Sequence, residues 1–223
     1  MPRALIFAPT CGFRDASYQL RLQETVHALH GGGWGADIVA CGGRPPLEDG
    51  DTRTFSPPAL LRPLSVPLKP SLRAIYAARL MFLRALPLAS SGVYDVFHGY
   101  DDGAYVARAV RRAMPKKHPV VAEYRFPVST ADGPVGMWAD ISRRREQAVM
   151  RQADAVVLPC EAMAARFEKP PQKARLCIIP DAQSETNVEF FTVSEFEEAI
   201  LRVYEFAVLS SRGRAGIPED EGR

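Results

Sequence analysis

The chain has 223 residues, 47% of them hydrophobic and 24% charged, the usage of an ordinary globular domain and not of a disordered or fibrous chain. That length holds one large α/β unit but not two of about 150 residues each. The formal net charge of +2 hides a split, because from Asp181 onward ten acids face four arginines, a balance of −6 that leaves the first 180 residues at +8.

No run of about 18 uncharged apolar residues occurs, and Pro9 interrupts the N-terminal apolar stretch too early for a signal-peptide core, so a cytoplasmic protein is expected. Cys11, Cys41, Cys160 and Cys177 lie far apart without a CxxC pair, as reduced core thiols would.

Strands and helices alternate along the chain. Ala4–Ala8, bounded by Pro2 and Pro9, reads as a buried strand. Ala16–His30 repeats apolar residues at Leu22, Val26 and Leu29 and stops at Gly31, which predicts an amphipathic helix. Ala36–Ala40 is a second strand. From Arg44 to Pro70 prolines predict irregular chain with one short strand near Leu64–Val66. Ser71 is placed to cap a helix reaching about Leu86, with Leu72, Ile75, Tyr76, Phe82, Leu83 and Leu86 on one broad face.

Further on, strands are predicted at Asp95–His98, His118–Glu123, Ala155–Leu158 and Arg175–Ile179. Helices fall between them at Ala104–Met114, Ala139–Gln152 and Glu161–Phe167, and Ser194 is placed to cap a last helix through about Leu209. This βαβα series predicts an α/β fold: a single Rossmann-like, three-layer domain with a central parallel sheet of six or seven strands. Ligands of such sheets sit at the carboxyl ends of the strands. There the chain carries Cys11-Gly12, His98-Gly-Tyr-Asp101-Asp102, Glu123-Tyr-Arg125 and Pro159-Cys160-Glu161.

The segments DVFHGYDDGAYVARAVRRAMPKKHPVVAEYRFP, RRREQAVMRQADAVVLPCEAMAARF and ARLCIIPDA, in that order and spacing, resemble the N-terminal half of family-4-type glycosyltransferases of the two-Rossmann-domain, GT-B architecture. The resemblance covers roughly residues 4–182. It implies half of a GT-B architecture: a domain that receives the acceptor, opposite a C-terminal domain that grips a nucleotide sugar. Carried over residue by residue, it makes His98 and Arg125 the catalytic candidates and Gly12, Cys160 and Glu161 candidates for acceptor or phosphate binding, to which the strand-end position alone adds Asp101 and Glu123. Gly12 stands where the family's glycine-rich loop approaches donor phosphates, with Cys11 replacing the usual first glycine. Gly99-Tyr100 replaces the second histidine of the fourth-strand motif, and Asp181-Ala182 replaces the Asn-Gly of the linker.

The family's donor domain, with its Glu-x7-Glu pair, finds no counterpart in the 41 residues after Ala182. Glu189, Glu197 and Glu205 share that spacing inside an acidic helix, without the family's glycine-rich context. Thr192–Glu205 instead resembles the family's late helix, as though a donor domain had been deleted and its flanking helix kept. The expected organisation is therefore a Rossmann domain over 1–182, an acidic helix over 183–210 packing back on it, and a flexible tail over 211–223.

Three function classes stay open: an acceptor-side domain that transfers sugar to a glycan or lipid-linked acceptor only with a separate donor-binding subunit, a non-catalytic relative acting as a binding module, and an unrelated nucleotide-binding α/β module. No cofactor and no metal site is expected.

Thr52–Tyr94 contains no acid but holds Arg53, Arg62, Lys69, Arg73, Arg79 and Arg84. Such a segment suits an anionic membrane surface or anionic acceptor, with Arg73, Arg79 and Arg84 as the contacts; the alternative is a core helix with a solvated edge. Gly31–Ala36 matches GxGxxA but follows a helix, so it reads as a helix stop. Glu24, His27 and His30 lie on one helix without a second ligand cluster. Arg143-Arg-Arg145 reads as a solvated face and not as a nucleic-acid contact, and His118 as structural.

Overall fold

The computed structural model describes residues 1–9, 16–41, 52–56, 70–125, 137–164, 175–180 and 192–214. The elements run β1 (Arg3–Ala8), α1 (Ala16–Gly31), β2 (Gly35–Ala40), β3 (Arg53–Phe55), α2 (Pro70–Ser90), β4 (Val96–Tyr100), α3 (Asp102–Ala113), β5 (Val120–Glu123), α4 (Met137–Gln152), β6 (Ala155–Leu158), α5 (Glu161–Ala164), β7 (Arg175–Ile178) and α6 (Val193–Arg214). The seven strands form one sheet in the order β3-β2-β1-β4-β5-β6-β7, every pair parallel. The order reverses between β1 and β4, and in an open α/β sheet that switch point opens the ligand crevice.

Strand alternation divides the core into two layers. Leu5, Phe7, Phe97, Val120 and Ala122 face α2, α3 and α4, whereas Ala4, Ile6, Ala8, Val96, Tyr100 and Val121 face α1 and α6. Both faces are covered, which is why the inner strands read as near-continuous apolar runs. The α3 helix lies unusually close to the sheet. A Cβ on Gly99 would come within 2.3 Å of the Ala104 backbone, and one on Gly103 within 2.2 Å of the Phe7 carbonyl oxygen.

Four details differ from the sequence reading. β3 was not predicted: it is three residues long, at the sheet edge, and is fixed by long-range charge and not by its own apolar content. Arg53 Nη2 donates to Asp37 at 2.7 Å, and Arg3 and Tyr94 donate to the same fully enclosed carboxylate. The α2 helix begins at Pro70, so Ser71 lies inside it, and it continues through exposed Pro87 because Ala89, beyond the expected end, is buried.

The α2 stripe buried in the core is Ala77, Met81, Ala85 and Ala89, three of them alanines, while Leu83, expected on the apolar face, is 64% exposed. At α6 the cap is Thr192, not Ser194. Thr192 Oγ1 accepts the Glu195 N–H at 3.2 Å, and Glu195 Oε2 accepts the Thr192 N–H at 2.8 Å, a capping box. The short strand expected near Leu64–Val66 lies outside the described residues.

Candidate functional site

The strand ends bordering the switch point carry the polar groups. β4 ends on Tyr100, and the chain turns into α3 through Asp101, whose φ of 46° and ψ of −118° place a non-glycine residue in a region that glycine favours. The strained turn is held at both ends. The Asp101 N–H donates to the Glu123 carbonyl at 2.8 Å, and Asp101 Oδ1 accepts the Arg125 N–H at 2.9 Å. The structure thus brings Asp101 and Arg125, two of the expected site residues, to one rim, both half-buried.

Beneath that rim lies a closed charge network. Glu123 is buried, and Oε1 accepts Arg21 Nε at 2.7 Å. Arg21 also donates to the carbonyls of Pro180 at 3.0 Å and Ile179 at 3.1 Å, and its guanidinium lies 4.3 Å from the centre of the Phe196 ring. Glu123 Oε2 faces His98 Nε2 at 3.4 Å, and His98 Nδ1 lies 2.6 Å from the Tyr204 hydroxyl. The His98 ring stacks on Tyr100 with centroids 4.6 Å apart. Burial alone would raise the Glu123 carboxyl, but the Arg21 charge and the facing His98 bring it down to about 2. Burial pushes the Tyr18, Tyr100 and Tyr204 hydroxyls well above their usual range, so all three stay protonated at neutral pH.

His98 and Glu123 therefore sit inside the molecule and not on an open wall. In this arrangement they fix α1, α6 and the strand ends to one another. The remaining expected site residues lie elsewhere on the rim or off it. Cys160 is half-buried against the α2–α4 layer, with its carbonyl accepting the Met163 N–H, and Glu161 is exposed at the start of α5. Gly12 lies outside the described residues.

Sequence reasoning passed over Arg21, Tyr204 and Asp37. An arginine three residues from Tyr18 and beside Leu22, on the inward face of α1, was the available signal for a buried ion pair.

On the basic segment, Arg79 and Arg84 are exposed, the Arg73 side chain lies outside the described residues, and Arg53 is bound to Asp37. The Ala77–Ala89 face of α2 is packed into the core. Among the described residues no group of three or more His, Cys, Asp or Glu side chains could hold a metal ion. His27 pairs with Glu197 at 3.5 Å, while His30 Nε2 lies 3.3 Å from the Thr52 hydroxyl. Gly31 ends α1 and Gly33 takes a φ of 76°, as a helix stop requires.

A family model described as the glycosyl transferase 4-like domain matches residues 18–182. The chain belongs to that family. Its fold is that of one Rossmann-like half of a GT-B glycosyltransferase. A portion of sucrose-phosphate synthase from Thermosynechococcus elongatus, designated 27–220 and 406–426, superposes with a TM-score of 0.60 at 13% identity, covering 92% of this chain and 97% of that one. A second structure of sucrose-phosphate synthase from the same organism gives 0.61 at 14% identity, covering 82% of this chain and 49% of that one. Phytolacca americana UGT2, complexed with UDP-2-fluoro-glucose and pterostilbene, gives 0.55 at 12% identity over 82% of this chain and 55% of that one.

This glycosyl transferase 4-like chain thus spans about half the length of these last two structures. No curated protein sequence matches it. No described helix is long and apolar enough to cross a membrane.

Proposed function

We propose that this glycosyl transferase 4-like domain is the acceptor-side half of a divided glycosyltransferase, completed by a donor-binding half on a separate chain. The observation that carries the reading is the position of α6. Only residues 179–192 separate β7 from α6, and Phe196, Ile200, Val203 and Tyr204 bury themselves against α1 and the sheet. The superposed portion of sucrose-phosphate synthase is designated by two separate ranges, yet this one continuous chain covers nearly all of it. A connection of that length cannot contain a Rossmann domain. Together these support a helix already folded back with no donor half in between.

In this reading the acceptor lies across the rim formed by Asp101 and Arg125, and the crevice between β1 and β4 faces the donor. The acceptor hydroxyl attacks the anomeric carbon and gives its proton to the departing diphosphate, the bond from that carbon to the diphosphate breaks, and a nucleoside diphosphate leaves on the partner's side. Arg125 suits a phosphate on the acceptor, because a guanidinium meets phosphate oxygens through two parallel N–H groups. A cleft with one wall cannot surround the transition state, so transfer needs both halves.

The enclosure of His98 and Glu123 favours a second reading, a non-catalytic binding module, since the histidine matched to acceptor activation is occupied by Tyr204. Separate Asp101→Asn and Arg125→Gln variants, assayed together with a separately supplied donor-binding half, test the choice. The acceptor-side reading expects transfer to fall at least tenfold with the partner's donor affinity unchanged. Unchanged transfer by both variants favours the binding module.

A further inference from the structure

The charge split along the sequence becomes a split across the sheet. The outward stripe of α2 carries Arg79, Leu83 and Arg84, the last turn of α3 adds Arg112, and α4 adds Arg144 and Arg151, all exposed. None of these arginines has an ion-pair partner among the described residues. The acids described on the same three helices are Asp102, Asp140, which Arg143 holds at 2.8 Å, and buried Glu146. Burial and the nearby charges of Arg112 and Arg151 push the Arg108 guanidinium below its usual value, so the seam between α3 and α4 is already crowded with positive charge. On the opposite layer α6 exposes Glu195, Glu198 and Glu205.

We propose that the α2–α3–α4 layer is a docking face for an anionic lipid bilayer. Exposed cations spread over three adjacent helices of one layer match a planar anionic surface better than a groove-shaped ligand. The large apolar side chains exposed among the described residues are Met1, Leu83, Val93, Val193 and Leu209, with no aromatic among them, so the described residues favour a bilayer over a stacking platform for single-stranded nucleic acid. Leu83 stands between Arg79 and Arg84, where a lone apolar side chain can reach the headgroup boundary. Because Ala77, Met81, Ala85 and Ala89 are packed inside, α2 does not insert and attachment is electrostatic and reversible. The α2, α3 and α4 axes run back along the strands, so a bilayer on this face leaves the rim of Asp101 and Arg125 at the membrane edge. The proposal goes beyond the half-enzyme reading and stands if that reading fails.

The test is co-sedimentation of the purified chain with vesicles of phosphatidylcholine alone and of phosphatidylcholine mixed equally with phosphatidylglycerol. Binding is expected to the mixed vesicles only. It should disappear as salt rises from about 0.1 to about 1 M, where the Debye length shrinks from about 10 to about 3 Å. Each exposed arginine changed to glutamine should lower partitioning about fivefold, so Arg79→Gln, Arg84→Gln and Arg144→Gln together should lower it ~100-fold. Arg202→Gln, which removes one charge from the opposite layer, should leave binding unchanged where Arg79→Gln alone lowers it; circular dichroism confirms that each variant folds. The proposal is overturned by no binding to mixed vesicles at low salt, by equal binding to both vesicle types, or by an Arg202→Gln effect as large as that of Arg79→Gln alone. Tighter binding to single-stranded RNA than to the mixed vesicles, with the same triple sensitivity, also overturns it in favour of a nucleic-acid face.

Discussion

Glu123 and Asp37 are two enclosed carboxylates in unrelated places that behave alike. Each would be raised by burial, and each is brought instead to about 2, Glu123 by Arg21 and His98, Asp37 by hydrogen bonds from Arg53, Arg3 and Tyr94. A carboxyl depressed in the folded state stabilises it fully above its unfolded value near 4, and the contribution is lost as pH falls through the folded value. The thermal midpoint should therefore be flat above about pH 5 and fall steadily toward pH 2; a midpoint that does not move between pH 5 and 3 contradicts the two ion pairs.

Removing one partner alone, as in Arg21→Met, leaves an unpaired buried charge and should cost about 3–5 kcal/mol in urea denaturation. Arg21→Met with Glu123→Leu should cost less than Arg21→Met by itself. Asp101 presents the opposite case, a residue held in an unfavourable conformation. Asp101→Gly and Asp101→Ala both lose the bond to the Arg125 N–H, but only glycine relaxes the backbone. Asp101→Gly should be more stable than Asp101→Ala by about 1 kcal/mol or more; equal stabilities would mean the turn carries no strain.

Among the elements, those with strong periodicity were legible in the sequence and those fixed from a distance were not. β1, β6 and α1 follow directly from apolar runs and from the Leu22, Val26, Leu29 spacing, and all lie where the sequence places them to within a residue or two. β3 escaped because Arg53-Thr-Phe55 is polar and short, and its partner Asp37 lies 16 residues away. The buried face of α2 escaped because large side chains were given weight, while three of its four residues are alanines. Asp101 and Arg125 were legible as strand-end polar groups. The enclosure of His98 was not, because its cause, Tyr204, lies 106 residues further along the chain.

Two substitutions test these element contacts. Gly99→Ala drives a methyl group into the Ala104 backbone and should destabilise the domain by roughly 1–3 kcal/mol by parting α3 from β4. Thr192→Ala removes the capping box and should cost ~1 kcal/mol, read as a lower urea midpoint with unchanged slope.

At the scale of the whole molecule, the fold sets three surfaces at right angles or opposite to one another. The strand-end rim carries Asp101 and Arg125, the α2–α4 layer is basic, and α6 makes the other layer acidic. The buried Arg21–Glu123–His98–Tyr204 series ties the strand ends beneath the rim to α6. If the chain is one half of a divided glycosyltransferase, it has an acceptor wall and no donor wall. The most direct measurement is release of nucleoside diphosphate from UDP-glucose and GDP-mannose by the purified chain with no partner added. The account predicts no release and no sugar transfer at any enzyme concentration; steady turnover of either donor by the chain alone would contradict it.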